Sequence, residues 1–131
     1  MLDNISMDDV SIVKNILNEL KIEIKEDDKE IKNLEKIIKT EQFNMGQLVI
    51  LSDQIPKDIY ILLEGKVRQL INNPSNGEVM TLSLHEPGHI IGNKSCRANY
   101  PLEFVSCATD CKFAKLKYQD WEKLINDFGE N

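Results

Sequence analysis

From Ile38 onward the chain is a succession of short apolar runs, each closed by a turn rich in glycine, proline or asparagine, and this punctuation constrains the fold more than any other feature. Runs of this length match strands rather than interior helices. Residues 48–51 precede a polar, proline-containing turn at 52–58, and residues 59–63 precede Glu64 and Gly65, where a tight bend is predicted. Residues 67–71 and 79–84 flank Asn72-Asn73-Pro74-Ser75-Asn76-Gly77, the strongest turn signal in the chain, as a hairpin requires. Glu86-Pro87-Gly88 makes another turn before a short strand at 90–92. Two more strands are predicted at 102–108 and 112–116, separated by Thr109 and Asp110. Strands at this interval imply a β-sandwich or roll.

Helical periodicity frames the strands. Val10, Ile12, Val13, Ile16, Leu17 and Leu20 recur at three-to-four-residue spacing, with Ser6 and Asp8 available to cap, which predicts an amphipathic helix. Residues 21–39 are dense in alternating charge, and Ile31, Leu34, Ile37 and Ile38 suit one face of a second helix at least until about Leu34. The charge run reads as a solvated face. After Lys36 the period changes to alternation, which divides the chain into an N-terminal helical segment (1–36) and a β-roll with a C-terminal helix (37–131). In that last helix Trp121, Leu124, Ile125 and Phe128 share a face, Trp121 packs on the roll, and Gly129 stops the helix.

Composition removes several classes of function. A chain of 131 residues is expected to build one core. It has no apolar run near the roughly 20 residues of a membrane span, and no basic-then-apolar secretory signal. The expected location is cytoplasmic, or the cytoplasmic part of an inner-membrane protein, without direct membrane insertion. A net charge of −6 opposes nucleic acid as a partner of this domain. Cys96, Cys107 and Cys111 lack the Cys-x-x-Cys spacing or His pair of a zinc site and form an odd set, so reduced, partly buried thiols and no metal are expected. His85 and His89 are four residues apart, but the Pro-Gly turn between them breaks helical metal-site geometry, and they are read as a surface loop. The absence of a Gly-x-x-x-x-Gly-Lys-Ser/Thr loop and of a positioned nucleophile–base pair predicts a non-enzymatic domain.

The spacing Phe43-x-x-Gly46-x-x-Val49, followed by Ile59-Tyr60-Ile61-Leu62-x-x-Gly65-x-Val67, resembles the front half of the cyclic-nucleotide-binding domain family. The resemblance continues through Gly77-Glu78, Leu82-x-Leu84, Pro87-Gly88-x-Ile90-x-Gly92 and Ala114-x-Leu116, and spans roughly residues 37–128. It implies a mainly β fold with flanking helices, built on an eight-stranded, jelly-roll-like double-stranded β-helix. It also implies a ligand site, the phosphate-binding cassette, at residues 92–104. A cyclic phosphate there calls for backbone N–H groups at a helix start and an arginine, and a carboxylate takes the ribose hydroxyl.

Here the cassette is degenerate. The carboxylate position holds Asn93, the arginine position falls at Pro101 or Leu102, and the threonine position holds Phe104. Arg97 lies four residues too early, and the segment is one residue shorter than the family's usual cassette. The residues left to contact a ligand are Gly92, Asn93, Lys94, Ser95, Arg97 and Phe104. Losing both charged anchors is expected to leave binding of cyclic nucleotide weak or absent, since each charge-assisted bond contributes about 1.5–3 kcal/mol; no cofactor is expected.

Tyr100-Pro101-x-Glu103-Phe104-Val105-Ser106 resembles the N-terminal module of cyanobacterial peptidase-containing ABC exporters. Against that, Phe104 and Val105 read equally as core residues with Glu103 facing water. The resulting expectation is a regulatory or interaction module of a larger export protein, with other domains or a second copy as partners. The alternatives are the effector domain of a transcription regulator and a genuine sensor of cAMP or cGMP using Asn93, Ser95 and Arg97.

Overall fold

The computed structural model describes residues 7–19 and 28–128. The expected cap at Ser6, Leu20, the opening of the charged run and the stop at Gly129 lie outside them. Two helices, α1 (Met7–Glu19) and α2 (Asp28–Ile37), lead into β1 (Lys39–Phe43), β2 (Leu48–Ile50), β3 (Asp58–Glu64), β4 (Val67–Asn72), β5 (Val79–His85) and β6 (Ile90–Ile91). A short helix α3 (Asn93–Ala98) then precedes β7 (Val105–Cys107) and β8 (Cys111–Lys117), and α4 (Tyr118–Phe128) follows. The strands form two antiparallel four-stranded sheets, ordered β1-β8-β3-β6 and β2-β7-β4-β5. The fold is therefore mainly β, eight strands with flanking helices. No described helix is long and apolar enough to cross a membrane.

The unbroken apolar run in β3 has a packing cause. Ile59, Ile61 and Leu63 face the helices, in one cluster with Val10, Val13, Leu17, Leu34, Ala114 and Trp121. Leu62 faces the roll interior, clustered with Phe43, Ile50, Val67, Ile91 and Phe113. A strand covered on both faces reads as continuous rather than alternating. Inside the roll Phe113 is fully buried and packs edge-on against Phe43 (5.3 Å) and Tyr60 (5.7 Å). Burying such a side chain contributes roughly 1.5–3 kcal/mol. Trp121 and Leu124 of α4 are buried on the outer cluster, as their helical spacing predicts.

Several contacts fix the frame. Asp9 of α1 is buried and pairs with Lys112 of β8 at 2.8 Å, and Lys112 also reaches Glu64 at 3.3 Å. The expected bend at Gly65 is present with φ of +96°, and an added Cβ there would overlap the Asp110 carbonyl oxygen. The β4–β5 hairpin forms across the predicted turn.

Several boundaries shift by a residue or more from the sequence expectation, and three of the shifts have a visible cause. The strand predicted at 102–108 is shortened to β7, because the Leu102 N–H donates to Ser95 Oγ (3.1 Å) and ties that backbone to α3. Helix α2 runs to Ile37, one residue past the division expected after Lys36, and the Ile38 N–H still donates to the Leu34 carbonyl at 3.0 Å. Strand β8 runs from Cys111 to Lys117, beyond the predicted 112–116, because Phe43 of β1 pairs with Cys111 at one end and Asp58 of β3 pairs with Lys117 at the other.

One side of the roll is left open. Strand β5 ends its sheet, and Val79, Met80, Leu82 and Leu84 along it are exposed.

Candidate functional site

Between β6 and β7 the chain turns through Gly92 into α3. Gly92 has φ of +101°, a left-handed conformation that a side chain disfavours, and an added Cβ would lie 2.8 Å from the Asp58 carbonyl oxygen. Helix α3 ends at Asn99, also left-handed with φ of 52°. The Asn99 N–H donates to the Cys96 carbonyl and the Tyr100 N–H to the Ser95 carbonyl, each at 3.2 Å, so the helix end is satisfied locally.

At the start of α3 the free backbone donors meet a carboxylate from the same segment. Glu103 accepts hydrogen bonds from the Gly92 N–H (2.8 Å), the Ser95 N–H (3.0 Å) and the Ser95 hydroxyl (2.8 Å). Glu103 is 7% exposed and Ser95 is fully buried. The reading of Glu103 as a residue facing water is therefore corrected. Two backbone donors and a hydroxyl compensate the cost of burying its charge, which an unpaired carboxylate would not survive.

The residues singled out in the sequence separate into three groups. Gly92 and Ser95 converge on Glu103. Lys94 and Arg97 are exposed on α3. Asn93 is half-buried, and among the described residues its buried Oδ1 accepts no hydrogen bond. Phe104 is half-buried, and its carbonyl accepts the Leu70 N–H at 2.7 Å, joining the segment to β4.

Beside the segment, His85 and His89 stack face to face, with ring centroids 3.7 Å apart and planes 1° from parallel. They are half-buried rather than a free surface loop, and His85 Nε2 lies 3.0 Å from the Ser83 hydroxyl. Burial, then the neighbouring His85 and Lys94, lowers the His89 pKa from 6.5 to about 4. Among the described residues no three His, Cys, Asp or Glu side chains gather as a metal site would require.

The cysteines are packed. Cys107 and Cys111 are buried, and burial followed by a hydrogen bond to Cys111 raises the Cys107 thiol to about 12. Cys96, on α3, donates to the Pro56 carbonyl at 2.9 Å. Burial, with Glu103, Asp58 and Glu122 nearby, raises its pKa too. Thiols held protonated are poor nucleophiles.

The burial of Glu103 had no local signal in the sequence, since its partners lie eight and eleven residues upstream. The one available hint was the set of free N–H groups expected at a helix start with no arginine-bound anion to occupy them.

Comparison with known proteins places this geometry. Residues 40–128 match the family described as the cyclic nucleotide-binding domain. No curated protein matches the sequence. Among solved structures, a cyclic nucleotide-binding domain from Methylobacillus flagellatus is similar, with a TM-score of 0.76 and 17% identity over 95% of this chain and 72% of that one. The regulatory domain of Toxoplasma gondii PKA with cAMP matches with a TM-score of 0.73 and 19% identity, over 91% of this chain and 44% of that one. The regulatory subunit of a cAMP-independent protein kinase A from Trypanosoma cruzi, bound to guanosine, matches with a TM-score of 0.70 and 21% identity, over 89% of this chain and 42% of that one. The chain thus spans less than half the length of the two kinase regulatory chains. With the roll, the glycine turns and the cassette helix in the family's order, the chain belongs to the cyclic nucleotide-binding domain family.

Proposed function

We propose that this domain is a non-catalytic regulatory or interaction module that binds cyclic nucleotide weakly or not at all. The observation that carries the reading is Glu103, whose carboxylate takes the Gly92 and Ser95 N–H groups that a phosphate would use. A bound cyclic phosphate would have to displace a buried carboxylate that satisfies three donors, and would meet Pro101 or Leu102 where the family supplies an arginine. Removing a charge-assisted partner costs about 1.5–3 kcal/mol, and like charges at one site add repulsion. The fold is compatible with this, since it also serves the guanosine-bound regulatory subunit of a protein kinase A described as cAMP-independent.

The string from Tyr100 to Ser106 supports an accessory role in an ABC-type export protein, with the domain on the cytoplasmic side and other domains of the polypeptide or a second copy as its contacts. Isothermal titration with cAMP and cGMP tests the core of the proposal, with thermal shift as a check because a ligand that binds the native state raises its stability. No heat and no shift at millimolar ligand is the expected result. Saturable micromolar binding overturns it and makes the domain a sensor.

A further inference from the structure

Away from Glu103, at the end of the roll where β3 begins and β8 ends, two hollows of about 520 and 460 Å³ adjoin, with Asp58 and Lys117 lining both. Lysines dominate them. Lys57 and Lys117 line the first, and Lys36, Lys39, Lys115 and Lys117 the second, against the carboxylates of Asp58 and Asp120 alone. In a chain with 22 acidic and 16 basic residues this is a local inversion of charge.

The inversion is imposed by register. Lys39 stands directly opposite Lys115 in the β1–β8 pair, where like charges destabilise a sheet. Glu41 relieves part of this by pairing with Lys115 at 2.8 Å. Among the described residues no carboxylate is within ion-pair distance of Lys36, Lys39, Lys57 or Lys117, all of which are exposed. A local arrangement that opposes stability without evident gain to the fold is a mark of a functional surface.

Apolar surface is interleaved with the charge. In the first hollow Ile55 is 40% exposed and sits beside Pro56 and Tyr118; in the second Ile37 is half-buried. The floor is pre-formed. The Tyr118 N–H donates to the Lys57 carbonyl at 3.1 Å, and the Cys96 thiol holds the Pro56 carbonyl, so little ordering is needed on binding.

We propose that the two hollows form one docking groove for an acidic peptide segment, its carboxylates on the lysines and an apolar side chain at Ile55 and Tyr118. Two hollows sharing one wall fit an extended chain better than a compact anion. The absence of arginine from the lining, on a domain of net charge −6, disfavours a nucleic-acid strand. The inference deepens the interaction-module reading by naming the partner's chemistry. It stands apart from the cyclic-nucleotide titration, because Cys96 is the single cassette residue lining either hollow.

Fluorescence anisotropy with a short fluorescein-labelled peptide of alternating glutamate and leucine tests it, with the glutamine–leucine counterpart as control. Saturable binding that weakens as salt is raised is expected for the acidic peptide only. Reversing charge at two exposed lysines, Lys39→Glu with Lys117→Glu, is expected to weaken binding by about tenfold. Ile55→Ser is expected to weaken it several-fold, and the thermal melts of these variants verify that they fold. No binding by the unsubstituted domain, equal binding of the glutamine peptide, or unchanged affinity in the folded double variant each overturns the groove. Full competition by inorganic polyphosphate, together with an Ile55→Ser variant that binds as before, identifies a general polyanion patch and overturns the peptide assignment.

Discussion

The Glu103 carboxylate and the Ser95 hydroxyl lie 2.8 Å apart, and the same hydroxyl accepts the Leu102 N–H at 3.1 Å. Ser95 thereby joins the start of α3 to the segment that leads into β7 and carries Glu103, and the stretch from Gly92 to Glu103 closes on itself. Glu103→Ala would leave two N–H groups and a hydroxyl without their acceptor in a buried site. The expected loss is about 3 kcal/mol, measured by urea unfolding. Glu103→Gln, which keeps an acceptor oxygen and loses the charge, should lose less. A loss below about 1 kcal/mol for the alanine variant would mean that water replaces the carboxylate and that the closure does not hold the segment.

Gly65→Ala should be among the most damaging small substitutions. It combines a left-handed backbone, which costs a side chain roughly 1–2 kcal/mol, with overlap of the new Cβ on the Asp110 carbonyl oxygen and crowding of the Cys111 sulfur. A total loss of about 3 kcal/mol is expected, read from the denaturation midpoint. Gly46→Ala serves as comparison, since its φ is also positive but nothing lies within 4 Å of the added atom. Equal losses at the two positions would remove the role assigned to the close approach.

Acid should weaken the fold through His89. Its folded pKa is lowered to about 4 from 6.5, by burial first and then by His85 and Lys94, so the native state prefers the neutral ring. Above 6.5 both folded and unfolded states are neutral and the group contributes no pH dependence. Between 6.5 and about 4 the unfolded chain takes up the proton first, and stability falls as pH falls. Melting temperature followed across that window should drop, and His89→Gln should flatten the drop. An unchanged profile in the variant would assign the acid sensitivity to carboxylates instead.

Asp9→Ala should loosen α1 more than the roll. The substitution removes the 2.8 Å partner of Lys112, which keeps Glu64 at 3.3 Å, so the expected loss is about 1–2 kcal/mol, below that of a fully buried pair. Amide hydrogen exchange locates the effect: faster exchange confined to α1 is expected. Acceleration spread evenly through β3 and β8 would show that the helix and the sheet open as one unit.

Much of the fold was legible because its determinants are local. The β4–β5 hairpin is written in residues 72–77, and the bend after Glu64 is written in Gly65. The C-terminal helix was legible from the spacing of Trp121 and Leu124, both buried on the outer cluster. The candidate site was much less legible. Glu103 looks like any solvated carboxylate until the chain brings α3 back over it, and the opening residues of the strand expected from residue 102 are lost to the same contact. The lysine-lined hollows draw on α2, β1, the β2–β3 turn and β8, which no window along the sequence brings together. Periodicity reports what each element buries, and carries no information on which polar groups meet across elements.

The uncovered strand β5 has a bearing on how the isolated domain behaves in bulk. Its residues 79–84 bear no charge, and among the described residues β5 pairs with β4 alone, which leaves its other edge a template for a further strand. Electrostatic repulsion between acidic bodies keeps such edges apart at neutral pH, and it vanishes near the isoelectric point of about 4.9. Dispersion in solution is therefore colloidal as much as structural. Concentrated samples are therefore expected to stay clear on the alkaline side at low ionic strength, and turbidity is expected to grow as acid neutralises, or salt screens, the charge that separates one edge from the next.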